Sequence, residues 1–207
     1  MTDPPATIYL DYNASTPIDP RVIEVMEPLL RGPFANPSAL HAGGREARTI
    51  IDHARAQVAG LLGCAADEVV FTSGGSEANN LALTGAFFAL RDRGDHIVTT
   101  TVEHPATLEP ARFLERLGAR VTLVPVDRFG RVDPDDVRRA ITPRTILVSV
   151  MHANNEVGTI EPIAEISAVT RERGILFHTD AAQSAGKIPT RVDELGVDLL
   201  SIAGHKA

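Results

Sequence analysis

Short β-branched runs alternate along the chain with longer stretches of helical spacing, and each switch carries a Gly, Pro or Asp. Asp19-Pro20 opens a predicted helix to about Leu30, with Asp as N-cap and Pro at the first helical position. A second helix is predicted from about Gly44 to Leu62, where Ala47, Ile50, Ile51, Ala54, Val58 and Leu61 recur at helical spacing. A strand from Glu68 to Thr72 and a glycine turn lead into a helix from about Ser76 to Arg91. The alternation continues with the strand His96 to Thr100, a helix Pro105 to Leu117 and the strand Arg120 to Val124. A short helix Pro134 to Ile141 precedes the strand Thr145 to Met151. The helix Ile163 to Glu172 stops at Gly174, and strands Ile175 to Thr179 and Leu199 to Ile202 close the pattern. Continuous apolar strands separated by helices predict a mostly parallel sheet covered on both faces, an α/β class.

Ligands of open α/β sheets bind outside the carboxyl ends of the strands. After the predicted strands come Ser73-Gly74-Gly75-Ser76, Glu103-His104, His152-Ala153-Asn154-Asn155, Asp180 with Gln183, and His205-Lys206. Only the strand near Val121 ends without such a group. Five strand ends thus present polar or ionisable side chains towards one rim, which marks a site.

Each group has a functional and a plainer reading. The glycine turn offers free backbone N–H groups and a helix dipole to an anion, with the Ser76 hydroxyl beside them, or Ser76 simply caps the helix. Its spacing is neither that of the nucleotide P-loop nor of the dinucleotide fingerprint. Asp180 can hold a protonated ring nitrogen or a metal, or cap the turn that follows it. His178 is read as a core or supporting histidine, and His152 with His178 lacks the convergence a metal needs, so no metal is expected. Lys206 can lose its charge on desolvation and form a Schiff base with an aldehyde, or be a solvated terminal lysine.

Composition removes other classes. The 207 residues allow one domain and at most a small second one, and 43% hydrophobic with 23% charged residues is ordinary globular composition. A net charge of −7, 4% aromatic residues and no Trp argue against nucleic acid. The longest apolar stretch, Leu81 to Leu90, is interrupted by Thr84 and Gly85 and is too short for a membrane span. Met-Thr-Asp-Pro-Pro shows no secretory signal, so a cytoplasmic location is expected. The single cysteine, Cys64, excludes an internal disulfide and is read as a buried small hydrophobe rather than a reactive thiol.

Seven blocks in order resemble the cysteine desulfurases, within the class V aminotransferase branch of pyridoxal-phosphate (PLP) enzymes. They are residues 10–17 (Leu-Asp-Tyr-Asn-Ala-Ser-Thr-Pro), Asn36-Pro37-Ser38 with His41, residues 71–80, Glu103-His104, residues 154–158, residues 180–184 and Gly204-His205-Lys206. The resemblance implies a three-layer PLP-dependent transferase fold, aspartate aminotransferase-like (fold type I). It implies that Lys206 binds PLP covalently, and that Gly75, Ser76 and His205 hold the phosphate. Asp180 pairs with the pyridine nitrogen, Gln183 and Asn155 hydrogen-bond the ring oxygen, and His104 stacks on the ring and moves protons. Ala203 stands where many relatives have a phosphate-binding serine, which loses one contact.

The activity implied is removal of sulfur from L-cysteine, leaving L-alanine and an enzyme persulfide. The sulfur goes to an acceptor or scaffold protein in iron–sulfur cluster or sulfur-cofactor synthesis. A homodimer is implied as well. Family chains are nearly twice as long, with the nucleophilic cysteine beyond the PLP lysine. The expected organisation is therefore an N-terminal segment over 1–20 and a large PLP-binding domain over 21–207, incomplete at its carboxyl end and without the small C-terminal domain. Alone, such a fragment is expected to be inactive and to expose a sheet edge. The alternatives are a selenocysteine lyase or other class V lyase, and a non-catalytic fragment or partner-dependent subunit.

Overall fold

The computed structural model describes residues 8–32 and 34–206; the amino-terminal stretch read for a signal, residues 1–7, and Ala207 lie outside the described residues. The helices are α1 (Pro20–Arg31), α2 (Ala42–Leu62), α3 (Gly75–Leu90), α4 (Pro105–Arg116), α5 (Pro134–Ala140), α6 (Ile163–Glu172) and α7 (Val192–Leu195). The strands are β1 (His96–Thr100), β2 (Arg120–Val124), β3 (Thr145–Ser149), β4 (Leu176–Asp180) and β5 (Leu199–Ser201). They form one sheet in the order β2-β1-β3-β4-β5, every neighbour parallel.

Strand side chains alternate between two cores, as the pleat requires. Ile97 and Leu147 pack with Leu83, Phe87 and Leu114 of α3 and α4. Their sequence neighbours Val98 and Val148 pack on the other face with Val137, Ile163 and Ile166 of α5 and α6. The result is the expected three layers. Chain order reverses between β1 and β3, so the loops after these two strands diverge and open a crevice.

Helix starts follow local chemistry. Asp19 accepts from Arg21 N at 2.8 Å, and Asp133 accepts from Asp135 N at 2.8 Å, each followed by proline at the first helical position. Gly63 ends α2 at φ 73°, a left-handed conformation that favours glycine. No residue of α1 is buried, and Val25, Met26 and Leu30 of that helix lie exposed. Among the described residues no helix is long and apolar enough to cross a membrane.

Glu68–Thr72 differs from the expectation: it joins no strand. Ala66–Glu68 is a short 3-10 turn, closed by Ala65 N donating to Glu68 Oε2 at 2.7 Å. Val69 N closes that turn by donating to Ala66 O, and Val69 O accepts from Arg55 of α2. Val70 and Phe71 beyond it are exposed. The β-rich composition favours an extended segment, but a strand needs a neighbour for its ladder, and among the described residues none pairs with it. The short helix α7 was not foreseen from the sequence pattern.

Candidate active site

The carboxyl ends of β1, β3, β4 and β5 and the first turn of α3 surround one cavity of about 260 Å³. Gly75 and Ser76 line it from α3, and His104 from the start of α4. Asn155 follows β3, Asp180 ends β4 with Gln183 just beyond, and His205 and Lys206 follow β5; all line the same cavity. The eight residues to which the resemblance gives a cofactor or catalytic role therefore meet at this one place, whereas Glu103, His152 and Asn154, grouped with them after the strands, do not line it.

The start of α3 is open chemically. Its N-cap is Gly74, which has no side chain to satisfy the first-turn amides, and the first intrahelical bond comes only from Ala78 N to Gly74 O. The N–H groups of Gly75, Ser76 and Glu77 have no intrahelical acceptor. Ser73 N is instead held by Glu77 Oε2 at 2.6 Å. A Cβ on Gly75 would sit 3.3 Å from that of Ala203, so glycine lets α3 approach the turn after β5. Nothing lies within 4 Å of a Cβ on Gly74 or Gly204.

His104 caps α4: its Nδ1 accepts from Ala106 N at 3.0 Å, which leaves Nε2 as the other ring nitrogen for the cavity. Asn154 shapes the next wall. Its Oδ1 accepts from Glu156 N at 2.8 Å and Val157 N at 3.0 Å, while its Nδ2 donates to Val102 O at 3.0 Å. This turn fixes the loop that carries Asn155. Lys206 is half-buried in a turn closed by its own N–H donating to Ala203 O at 2.9 Å.

Asp180 is buried and held at both oxygens, by Ala182 N on Oδ1 at 2.9 Å and by Asn79 Nδ2 on Oδ2 at 2.6 Å. It therefore caps its turn and lines the cavity at once. On the same pleat face His178 is fully buried between Ser149 Oγ at 2.8 Å and Ser201 Oγ at 3.0 Å. Burial holds its imidazole below the usual range, partly opposed by the Asp180 charge. It is a supporting group beneath the site, as its place on the strand implied.

Glu103 is fully enclosed. Burial pushes its carboxyl up to about 8; hydrogen bonds from Thr100 Oγ1 (2.7 Å) and Met151 N (3.0 Å) oppose that rise, and the charges of Asp180 and Glu161 reinforce it. At neutral pH it is the uncharged acid.

Three contributors, Asn13, Thr16 and Asn79, lie in the matched blocks but were given no role from the sequence. Asn13 Nδ2 donates to Asn155 O at 2.9 Å, Thr16 Oγ1 donates to His205 O at 2.8 Å, and Gln183 Nε2 donates to Asn13 O at 3.0 Å, so residues 13–16 cross the cavity's edge. Asn79 was visible as the polar member of the buried row Asn79, Leu83, Phe87 on α3. Cys64 does not line the cavity; it follows the C-terminal end of α2, and burial with nearby Glu68 and Asp193 raises its thiol.

Known proteins resemble this chain in sequence and in overall fold. The chain is 56% identical over 199 residues to the cysteine desulfurase IscS of Dictyoglomus turgidum, covering 96% of this chain and 50% of that protein. A solved structure described as SspA in complex with cysteine superposes with a TM-score of 0.93 at 43% identity, over 97% of this chain and 58% of that one. The apo cysteine desulfurase of Thermococcus onnurineus NA1 gives 0.87 at 33% identity, over 96% and 50%. The chain spans about half the length of the curated relatives it matches. The parallel three-layer architecture is thus that of the fold type I cysteine desulfurase structures. A family model described as Aminotransferase class-V matches residues 8–207, and the chain belongs to that family.

Proposed function

We propose that this chain is the cofactor-binding part of a PLP-dependent cysteine desulfurase, which takes sulfur from L-cysteine and leaves L-alanine and an enzyme persulfide. The observation that carries the reading is that Lys206, Asp180 and the uncapped start of α3 share one cavity. That donor set fits PLP: backbone N–H groups for a phosphate, a carboxylate for a ring N–H, amides for a ring hydroxyl and a primary amine for an aldehyde. The space around Gly74 and Gly204 leaves room for the phosphate.

When bound, PLP supplies an aldehyde that takes up the substrate amine and a ring that withdraws electrons from the adjacent carbon. The remaining work belongs to the chain. Gly75, Ser76 and His205 bind the phosphate, with Ala203 contributing no hydroxyl. Asp180 accepts the ring N–H and keeps its proton in place, and the neutral Glu103 adds no competing charge nearby. Asn155 and Gln183 orient the ring through its hydroxyl. His104 Nε2 and the Lys206 amine move protons at the substrate carbon.

A persulfide also requires a thiol. Cys64 is the only cysteine of the chain and lies away from the cavity, with its thiol raised and so protonated at neutral pH. The sulfur-accepting thiol is therefore assigned to protein beyond these residues, as are a homodimer partner and the sulfur acceptor. The exposed apolar residues of α1 support a surface that further protein covers. Alone, the chain is expected to bind PLP and release no alanine from cysteine.

Covalent capture tests the reading. The purified chain is incubated with PLP, reduced with borohydride, digested and mapped by mass spectrometry. A pyridoxyl group on Lys206, and not on exposed Lys187, the only other lysine, is the expected result. Equal labelling of both lysines, or none, overturns it, as does alanine release by the isolated chain for the assignment of the thiol.

A further inference from the structure

Asn79 has an unusual position for an amide. It is 1% exposed, sits one turn into α3 from Gly75, and lies in a row otherwise occupied by Leu83 and Phe87. Its Nδ2 donates to Asp180 Oδ2 at 2.6 Å, while its own Oδ1 is buried with no hydrogen-bond partner. A core position that leaves one polar atom unsatisfied runs against the usual pairing of buried polar groups. What the position gains is a donor aimed at a single carboxylate oxygen.

Sheet geometry explains the meeting. Leu147 and Leu176 pack on the face covered by α3 and α4, so by alternation Ser149, His178 and Asp180 point to that same face. Asp180 thus emerges beneath α3, and Ala182 N holds its other oxygen. With one donor per oxygen, the carboxylate plane is fixed by α3 on one side and by its own turn on the other.

We propose that Asn79 is a positioning residue that sets the Asp180 carboxylate for the ring nitrogen of the cofactor. It ties that carboxylate to the helix whose first turn receives the phosphate. This rests on the PLP reading of the cavity. Phosphate and ring nitrogen are then gripped by one rigid element, Gly75 to Asn79, rather than by two independent loops. An amide serves where an acid would oppose the Asp180 charge and a leucine would leave Oδ2 without its donor.

The test uses PLP labelled with 15N in the ring, bound to the chain and to Asn79→Leu and Asn79→Ser. The ring-nitrogen chemical shift reports its protonation, and a fluorescence titration reports affinity. In the unmodified chain the nitrogen is expected to be protonated. Both variants are expected to shift it towards the unprotonated position and to weaken PLP binding about tenfold or more, the loss of a hydrogen bond to a charged group. Weaker binding with an unmoved nitrogen shift marks a merely packing role and overturns the proposal, as does no change in either readout. Asn79→Ser, smaller and still polar, carries the test if the leucine variant does not fold. In an Asp180→Asn background the Asn79 substitution is expected to leave the nitrogen shift where Asp180→Asn alone puts it; an additive shift contradicts the route through Asp180. Failure of the unmodified chain to load PLP on Lys206 is a different outcome, and removes the cofactor reading itself.

Discussion

Replacing Glu103 by glutamine should make the protein more stable as pH rises, relative to the parent chain. The fold holds the carboxyl at about 8 against an ordinary 4.5, mainly because it is fully buried. Between these values the folded chain keeps a proton that the unfolded chain has released, so folding weakens with rising pH. The contribution is intact below pH 4.5, falls by about 1.4 kcal/mol per pH unit, and is lost as pH passes about 8. Over the whole window this is about 5 kcal/mol, and by pH 7 about 3 kcal/mol. Glutamine keeps a carbonyl oxygen for Thr100 Oγ1 and Met151 N and cannot ionise. Its amide falls where Oε2 has no partner, a pH-independent cost of about 1–3 kcal/mol. The informative quantity is therefore the slope of the stability difference, not its absolute value. Urea unfolding of both proteins, followed by circular dichroism between pH 5 and 9, measures it. A difference that climbs with pH and levels off near 8 is expected. A flat difference would falsify the neutral-acid assignment.

Three further outcomes follow from the geometry. His178, driven below its ordinary 6.5 by burial, opposes protonation in the fold, so its contribution is present above pH 6.5 and lost as pH falls; its NMR ring signals should not move between pH 8 and 5, and a midpoint near 6.5 contradicts this. Gly75→Val places branched carbons where even a Cβ meets Ala203 at 3.3 Å, so PLP affinity measured by titration should fall about tenfold, and an unchanged affinity removes Gly75 from the phosphate cradle. Gly85→Ala, on an exposed part of α3 with open space around the new methyl, should raise unfolding stability by about 0.5–1 kcal/mol in urea, whereas a loss would indicate an unrecognised contact.

Much of this arrangement was legible along the chain because its causes are local. The runs His96 to Thr100 and Arg120 to Val124 are strands over the expected residues: β1 is buried along its whole length, while β2, at the sheet edge, is buried only at Val124 and is marked by its β-branched residues. The candidate residues meet in one cavity because parallel strands place all their carboxyl ends on one edge. What stayed hidden depends on partners far away in sequence. Glu68–Thr72 has the composition of a strand, but pairing is supplied by a neighbour, and the segment has none among the described residues. Asn79 sits in a helical pattern whose other members are core, and only the position of β4 shows which side chain it meets. Glu103 reads as one of the ionisable groups presented to the rim beside His104; its burial, with Oε1 held by Thr100 and Met151, appears only in the fold.

The hydrogen bonds of Asn13 and Thr16 also constrain the order in which the molecule can be assembled. They join residues separated by 142, 170 and 189 positions: Asn13 with Asn155, Asn13 with Gln183, and Thr16 with His205. On a growing polypeptide, residues 13–16 emerge long before their acceptors and donors exist, and bridging so long a loop costs entropy that only a finished sheet can offset. β1 and β2 can pair as soon as α4 links them, whereas this strap waits for the turn after β5. The rim of the cavity is therefore expected to close last and to open first, and its amide protons should exchange with solvent faster than those of the sheet beneath.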